Sequence, residues 1–213
     1  MNSSYKVYYF DVPGKAEPIR MLLSYGGYPF EDVRFEKLVE WPKHKKNMPF
    51  EQVPVLEIDG KKLTQTVPLT RFLANLVDLA GKDHEENYEI DSTAEIIGDI
   101  YNSALEFFFE RDEHKKRNFE IKMQSTLSLF LPSLEERAKK NGGFIALNRL
   151  TWPDLCFTTY YQDIRNILGK DFLQDYPNLQ QVKKHVLAVE NIRNWIKRRP
   201  LDPAFAYTLK DDL

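Results

Sequence analysis

Residues 5–20 read YKVYYFDVPGKAEPIR, and this stretch joins three local signals that decide the fold around it. Its first six residues are mostly aromatic or β-branched and alternate in character, which is typical of a strand, and a break containing Pro13 and Gly14 follows. Apolar residues at helical spacing then predict a helix over 15–26. Tyr9 would lie at the carboxyl end of the strand and beside a helix start, where ligands bind in open α/β sheets. Taken alone, Tyr9 is also a candidate for a buried strand aromatic.

The chain up to residue 80 continues this α/β pattern. A second short strand is predicted over 31–35, and two further strands over 54–58 and 61–64 flank Asp59-Gly60, a dipeptide favoured in two-residue hairpin turns. Apolar spacing over 66–79 predicts a helix after the hairpin.

Beyond a polar, glycine-containing break at 80–83, strand signals almost vanish, and the remainder is predicted to be helical. Two long helices are expected over 88–110 and 113–139, and the charged run at 110–117 between them is interpreted as a solvated helix end. The segment from Thr151 to Asp154 predicts a helix start with a capping box, for which a structural role is sufficient.

Composition restricts the class of protein. The chain has 213 residues and a formal net charge of −2, which allows one large or two small domains and gives no global field that favours nucleic acid. Its single cysteine, Cys156, excludes an internal disulfide, and its four scattered histidines lack the spacing of metal ligands. Neither a signal peptide nor a membrane-spanning stretch is evident, so a cytoplasmic protein is expected.

Three short motifs follow Tyr9 in a fixed order: WPKHK at 41–45, QVPVL at 52–56 and Gln65-Thr66 at a helix start. In this order they resemble the glutathione-binding half of a cytosolic glutathione S-transferase, and NWIKRRP at 194–200 is similar to the sigma class. The resemblance covers nearly the whole chain. It implies a thioredoxin-like α/β domain over 1–80 and an all-α helical domain over 84–213 that forms part of an electrophile pocket.

Glutathione needs a group that stabilises its thiolate, and Tyr9 can be that group. A thiol with a pKa near 8.5 is ionised at neutral pH only if the thiolate is stabilised, and a protonated phenol can donate to the sulfur. The neighbouring Tyr8 should point to the opposite face of the sheet, because strand side chains alternate. In the resemblance the catalytic tyrosine directly precedes phenylalanine, as Tyr9 precedes Phe10 here.

The resemblance also implies the other contacts with glutathione. A cis Val53-Pro54 turn would present backbone groups to the cysteinyl part, and Thr66, as a helix cap, would bind the γ-glutamyl carboxylate, although it could equally be an ordinary cap. Trp41 and Lys45 would bind the glycyl carboxylate. The full implied set is Tyr9, Lys15, Trp41, Lys45, Gln52, Val53, Pro54, Gln65, Thr66 and, from the partner subunit of a homodimer, Asp99.

The implied electrophile pocket is apolar, but each of its candidates could instead be a core residue. Cys156 is not expected to be a nucleophile, because no histidine or basic cluster is adjacent to it. The pocket candidates are Phe10, Pro13, Tyr101, Cys156, Tyr160, Phe205 and Tyr207.

The sequence therefore predicts an enzyme that conjugates glutathione, its co-substrate, to apolar electrophiles without a metal, with peroxidase or isomerase side activity open. The alternative is a non-catalytic crystallin-like protein or a carrier of apolar ligands on the same fold. A thiol oxidoreductase is excluded, because no cysteine lies near the first helix. Three residues depart from the family pattern: Lys15, where an arginine is common, Glu51, where a small or apolar residue is usual, and Pro68, in the first turn of the third predicted helix.

Overall fold

The computed structural model describes residues 3–37, 39–200 and 207–213. The chain divides into two compact units, one comprising Met1–Ala80 with Val189–Leu213 and the other Gly81–Ala188. By packing, the last helix and the residues after it therefore group with the α/β unit. The sequence-based division into domains of 1–80 and 84–213 stays a prediction.

A four-stranded sheet forms the centre of the first unit. Its strands are β1 (Tyr5–Phe10), β2 (Phe30–Phe35), β3 (Val55–Ile58) and β4 (Lys61–Thr64), in the order β2-β1-β3-β4. Strand β1 is parallel to β2 and antiparallel to β3, which in turn pairs with β4 as a hairpin. All four strands lie where the alternation and turn signals predict them, to within one residue at their ends.

The predicted helices are present in the described residues with shifted ends, and the helix expected over 88–110 begins four residues earlier, at His84. The predicted helix over 15–26 begins as a 3₁₀ turn, Gly14–Ala16, before α1, and the helix predicted over 66–79 ends earlier, at Leu76. The α-helices are α1 (Glu17–Tyr25), α2 (Trp41–His44), α3 (Thr66–Leu76), α4 (His84–Phe109), α5 (Glu113–Lys140), α6 (Trp152–Leu168), α7 (Pro177–Ala188) and α8 (Glu190–Arg198).

Alternation along β1 gives the two faces of the sheet different surroundings. Tyr5, Val7 and Tyr9 are buried on one face. On the other face, Tyr8 and Phe10 pack on a buried cluster of Phe35, Met48 and Val55, to which Trp41 and Val53 also belong. Helix α1 packs against α3 and α8 within the same unit. The carboxyl end of β1 thus has one buried face, at Tyr9, and one partly buried face, at Tyr8 and Phe10.

The second unit is helical, with α4 packed on α5 and α6, and α7 packed on α5 and α6. The predicted capping box is confirmed, because the Asp154 carboxylate accepts a hydrogen bond from the Thr151 backbone N–H at 2.8 Å. The same carboxylate accepts the Ile145 N–H at 2.8 Å, and its burial raises the pKa of Asp154 to about 6. This carboxylate joins the helix start to the preceding loop.

Within the ranges 3–37, 39–200 and 207–213, no helix is long and apolar enough to cross a membrane. No group of three or more His, Cys, Asp or Glu side chains in those ranges is arranged to hold a metal ion.

Candidate active site

Tyr9 lies at the carboxyl end of β1, and the chain folds back over its hydroxyl. The side chain is 9% exposed, and the Lys15 backbone N–H donates a hydrogen bond to its Oη at 3.2 Å. Gly14 makes this approach possible, because its φ is +48° and a Cβ there would lie 2.7 Å from Tyr9 Cε1. The Gly14-Lys15 turn therefore holds a backbone donor against the phenol oxygen.

Tyr8 has a different environment, as the strand alternation predicts. Its hydroxyl donates to Glu57 Oε2 at 3.1 Å on the opposite face of the sheet. Burial, together with the Glu57 carboxylate, raises the pKa of Tyr8. The two adjacent tyrosines therefore have separate partners, and only Tyr9 meets the turn that precedes α1.

The Val53-Pro54 peptide is cis, as the resemblance implied. It directly precedes β3 and follows the exposed Gln52. Gln65 Nε2 donates to Gln52 Oε1 at 3.3 Å, so the cis turn and the start of α3 meet through these two amides. Gln65 has φ of +74°, a backbone conformation unusual for a residue with a Cβ.

The expectation that Thr66 caps α3 is wrong. The cap position belongs to Gln65, without a side-chain hydrogen bond, and Thr66 is the first helical residue. The left-handed backbone of Gln65 turns the chain into the helix, so the side chain of Thr66 is not required as a cap. Thr66 remains at the helix N-terminus, where backbone N–H groups and the helix dipole favour an anion.

Trp41 and Lys45 occupy two successive short helices. Trp41 begins the four-residue α2, and its ring meets that of Phe10 edge-on at a centroid distance of 5.6 Å. Lys45 begins the following 3₁₀ turn, and its Nζ lies 3.4 Å from Glu51 Oε2 in an exposed ion pair. Glu51 has φ of +51°, a left-handed conformation that favours glycine. Glu51, one of the residues that depart from the family pattern, thus contacts Lys45, a predicted glutathione ligand.

Lys15 is half-buried beside Tyr9, and burial lowers the pKa of its ammonium group. Its backbone, rather than its charge, makes the contact with the Tyr9 hydroxyl at 3.2 Å. Replacement of the usual arginine by lysine therefore leaves this backbone contact intact.

The remaining predicted ligand, Asp99, is exposed on α4 of the helical unit. A Cβ at the preceding Gly98 would have no neighbour within 4 Å. Contacts within the described chain therefore do not account for a glycine at that position.

Three of the pocket candidates lie in the interior of the helical unit. Tyr101 and Tyr160 stack with ring centroids 3.8 Å apart, and the Tyr101 hydroxyl donates to Asp163 Oδ2 at 2.7 Å. Cys156 is buried, and burial raises the pKa of its thiol. A cavity of about 10 Å³ beside Tyr160 has room for a single water. Burial and a raised pKa disfavour the thiolate form that a nucleophile requires.

Three further pocket candidates, Phe10, Pro13 and Tyr207, lie in the α/β unit. Phe10 is partly buried against Trp41, and Pro13 is buried immediately before Gly14. The buried Tyr207 donates a hydrogen bond to Asp212 within the C-terminal segment. Phe205 lies outside the described residues. The assignment of these residues to an electrophile pocket stays a prediction.

Sequence reasoning missed a buried ionic network beside this site. Glu17 of α1 is 1% exposed and contacts Arg20, Trp195 and Arg199. The sequence does place Glu17 and Arg20 three residues apart in the first helix, where they can pair. Exposed helix faces carry the same pattern, so it does not predict burial. Only packing shows that these charges are buried.

The mixed sheet, with cis-Pro54 before β3 and a helical unit after it, defines a thioredoxin-like domain joined to an all-α domain. The family model described as the glutathione S-transferase N-terminal domain matches residues 5–75. The model described as the glutathione S-transferase C-terminal domain matches residues 98–199. The chain belongs to the glutathione S-transferase family.

Full-length relatives agree with this assignment. A glutathione S-transferase of Anopheles gambiae is 39% identical over 92% of this chain and 97% of its own length. The hematopoietic prostaglandin D synthase of Rattus norvegicus is 33% identical over 92% of this chain and 97% of its own length. The structure of prostaglandin synthase D of Nilaparvata lugens superposes with a TM-score of 0.88 at 34% identity, covering 93% of this chain and all of that one.

Proposed function

We propose that this protein transfers the thiolate of glutathione to apolar electrophiles, with Tyr9 as the hydrogen-bond donor to the sulfur. Membership of the glutathione S-transferase family supports the reaction class. The observation that carries the role of Tyr9 is the hydrogen bond from the Lys15 N–H to its Oη at 3.2 Å. Accepting that bond uses a lone pair of the phenol oxygen, and the phenol proton is the group that donates to a thiolate.

The free energy needed to stabilise the thiolate of glutathione is comparable with that of one hydrogen bond to a charged group. Lowering a thiol pKa of about 8.5 by about two units requires roughly 2.7 kcal/mol of preferential thiolate stabilisation. A hydrogen bond to a charged group contributes about 1.5 to 3 kcal/mol. Tyr9 can therefore supply much of the effect, because a phenol with an ordinary pKa near 10 keeps its proton at neutral pH.

The rest of glutathione would be held by groups of matching chemistry. The backbone of Val53, before the cis-Pro54 bond, would pair with the cysteinyl backbone. The start of α3 would bind the γ-glutamyl carboxylate through Thr66, Gln65 and helix amides, with Gln52 alongside. Trp41, Lys45 and Lys15 would bind the glycyl end.

A homodimer would bring Asp99 of one subunit to the γ-glutamyl amine in the site of the other, and the open space beside Gly98 favours close approach of a partner helix. We further propose a sigma-class, detoxifying, cytoplasmic enzyme, and the name of one relative, the Drosophila melanogaster glutathione S-transferase S1 at 37% identity, supports the transferase activity. Which residues contact the electrophile stays a prediction from the sequence.

A second candidate function is isomerisation of a prostaglandin endoperoxide with glutathione. It is favoured by relatives named hematopoietic prostaglandin D synthase at 33% and 30% identity. The same thiolate would be used, so Tyr9 keeps its role and only the electrophile differs.

The test is a substrate panel run with and without glutathione: an aryl halide, a lipid aldehyde, a hydroperoxide and a prostaglandin endoperoxide. We expect glutathione-dependent turnover of at least one of them, together with the ultraviolet absorbance of a thiolate when glutathione binds at neutral pH. Glutathione binding without thiolate absorbance or turnover would instead support the carrier or crystallin-like alternative.

A further inference from the structure

A buried network of ionised side chains lies next to Tyr9 in the α/β unit. At its centre the Glu17 carboxylate accepts hydrogen bonds from Arg20 Nη1 at 3.1 Å and from Trp195 Nε1 at 2.8 Å, and a further one from Arg199. Burial alone would raise the pKa of Glu17, but the two guanidinium groups outweigh it and lower that pKa to about 2. Glu17 is therefore ionised throughout the neutral range.

Arg20 extends the network to the backbone that precedes the Tyr9 contact. Its Nη1 donates to the carbonyl oxygens of Val12 and Pro13, each at 3.1 Å, and its Nε donates to Asp32 at 2.8 Å. Its guanidinium carbon lies 5.9 Å from the centroid of the Tyr9 ring. Arg20 thus fixes the two carbonyls immediately before Gly14.

A second arginine holds the start of the same turn. Arg34 donates to Asp32 at 2.8 Å and to Asp11 at 3.2 Å. Arg34, on β2, thus holds the turn over 11–14 at Asp11, and Arg20, on α1, holds it at the Val12 and Pro13 carbonyls. Asp32 joins the two arginines, because it accepts hydrogen bonds from both.

The space between this turn and the phenol is small. A Cβ on Gly14 would lie 2.9 Å from Tyr9 Oη, so there is no room for a side chain between the backbone there and the ring. A displacement of the turn by a few tenths of an ångström would therefore change the contact between the Lys15 N–H and Tyr9 Oη. Loss of Glu17 would leave Arg20 and Arg199 buried with a carboxylate partner removed, which is costly and displaces such groups.

We propose that Glu17 is a positioning residue for Tyr9: with Arg20 and Arg199 it holds the turn over 11–15 so that the Tyr9 hydroxyl is aimed at the sulfur of glutathione. This inference rests on the proposed function and deepens it. It also assigns a task to Arg199, near the end of α8, which lies 182 positions from Glu17 in the sequence and binds its carboxylate.

Glu17→Gln is the decisive variant, because it keeps the shape of the side chain and removes its charge. We expect the apparent pKa of bound glutathione, read from thiolate absorbance, to rise by about one unit. Below that pKa, kcat should fall about 10-fold, while the Kd for glutathione changes less than about threefold. Asp154→Asn is the matched control, since it also removes a buried carboxylate that accepts backbone N–H groups, but in the helical unit.

The pair Arg199→Gln and Arg199→Lys separates positioning from packing. Arg199→Gln should raise the pKa of bound glutathione as Glu17→Gln does. Arg199→Lys retains the positive charge, so its pKa of bound glutathione should stay close to that of the wild type. If Glu17→Gln does not fold, this pair and Trp195→Phe, which removes one donor to Glu17, decide by the same criterion. A lower Tm with an unchanged thiol pKa and kcat would overturn the inference. A wild-type protein that binds no glutathione would instead refute the proposed function itself.

Discussion

The backbone N–H of Lys15 donates to the hydroxyl of Tyr9 at 3.2 Å, although six positions separate the two residues. The turn between them therefore closes over the end of β1 and brings a fixed donor to the phenol oxygen. This contact distinguishes Tyr9 from Tyr8, which donates to Glu57 on the other face of the sheet.

Tyr9→Phe should lower kcat/KM for conjugation about 10- to 1000-fold, as expected for loss of one transition-state donor, while glutathione affinity stays within a few fold. Steady-state kinetics with an aryl halide and calorimetric titration of glutathione measure the two quantities. Tyr8→Phe is the matched control and should do little, because its hydroxyl is bound to Glu57. Equal losses of kcat/KM in both variants, or no loss in Tyr9→Phe, would refute the assignment of Tyr9 as the hydrogen-bond donor to the thiolate.

Thr66→Ala should weaken glutathione binding by about 1 to 3 kcal/mol, through loss of a charge-assisted hydrogen bond at the start of α3. Because Gln65 and not Thr66 occupies the cap position, the Tm should hardly change. Titration calorimetry and thermal unfolding separate the two effects, with Thr126→Ala in α5, a partly buried threonine, as the control. An unchanged Kd accompanied by a lower Tm would assign Thr66 a purely structural role.

Glu51→Gln should tighten glutathione binding about two- to fivefold, because the exposed Glu51 carboxylate competes with the glycyl carboxylate for Lys45. The gain should vanish for glutathione amidated at its glycyl end, and in a Lys45→Ala background. Glu31→Gln, which breaks the comparable exposed pair of Lys6 and Glu31, is the control and should leave the Kd unchanged. Equal gains for glutathione and its amide would refute the competition.

Asp99→Asn should raise the Kd for glutathione without changing the pKa of the bound thiol, because it removes charge from the contact with the amine and not with the sulfur. Mixed dimers test whether Asp99 acts across an interface. Pairing a Tyr9→Phe subunit with an Asp99→Asn subunit puts both lesions in one site, so about half of the wild-type activity should survive at limiting glutathione. Equal impairment of both sites, or a fully active monomer, would contradict the proposed role.

Acid should weaken the fold through Glu17. Its pKa of about 2 in the folded protein lies below the ordinary glutamate value of 4.5, so its stabilisation is complete above about pH 4.5 and is lost as pH falls toward 2. The gap corresponds to at most about 3 kcal/mol. Urea unfolding at a series of pH values should show this loss in the wild type, and the free energy of unfolding of Glu17→Gln should fall less between pH 4.5 and 2. An equal fall in both proteins would show that Glu17 does not titrate between these pH values.

Much of the fold could be predicted from sequence, because its signals are local. Alternation in YKVYYF predicted β1, the Asp59-Gly60 dipeptide predicted the hairpin, and the segment from Thr151 to Asp154 predicted a capped helix. Such signals act between residues a few positions apart, where backbone preferences and turn chemistry dominate. The ordered motifs then identified the family.

The geometry of the candidate site depended on tertiary packing. The sequence named Tyr9, but its contact with the Lys15 N–H requires the close approach of Gly14. The sequence also made Thr66 the cap of α3, whereas the left-handed backbone of Gln65 takes that position.

The sequence by itself determined the strands, the helices and the family, because each rests on short-range periodicity or on motifs in order. Tertiary structure alone decided that Glu17, on α1, is buried against Arg199, 182 positions later in the chain. An acid and an arginine look the same on a solvated helix as in a core, and only burial makes their pairing obligatory, since an ionised group removed from water needs a partner.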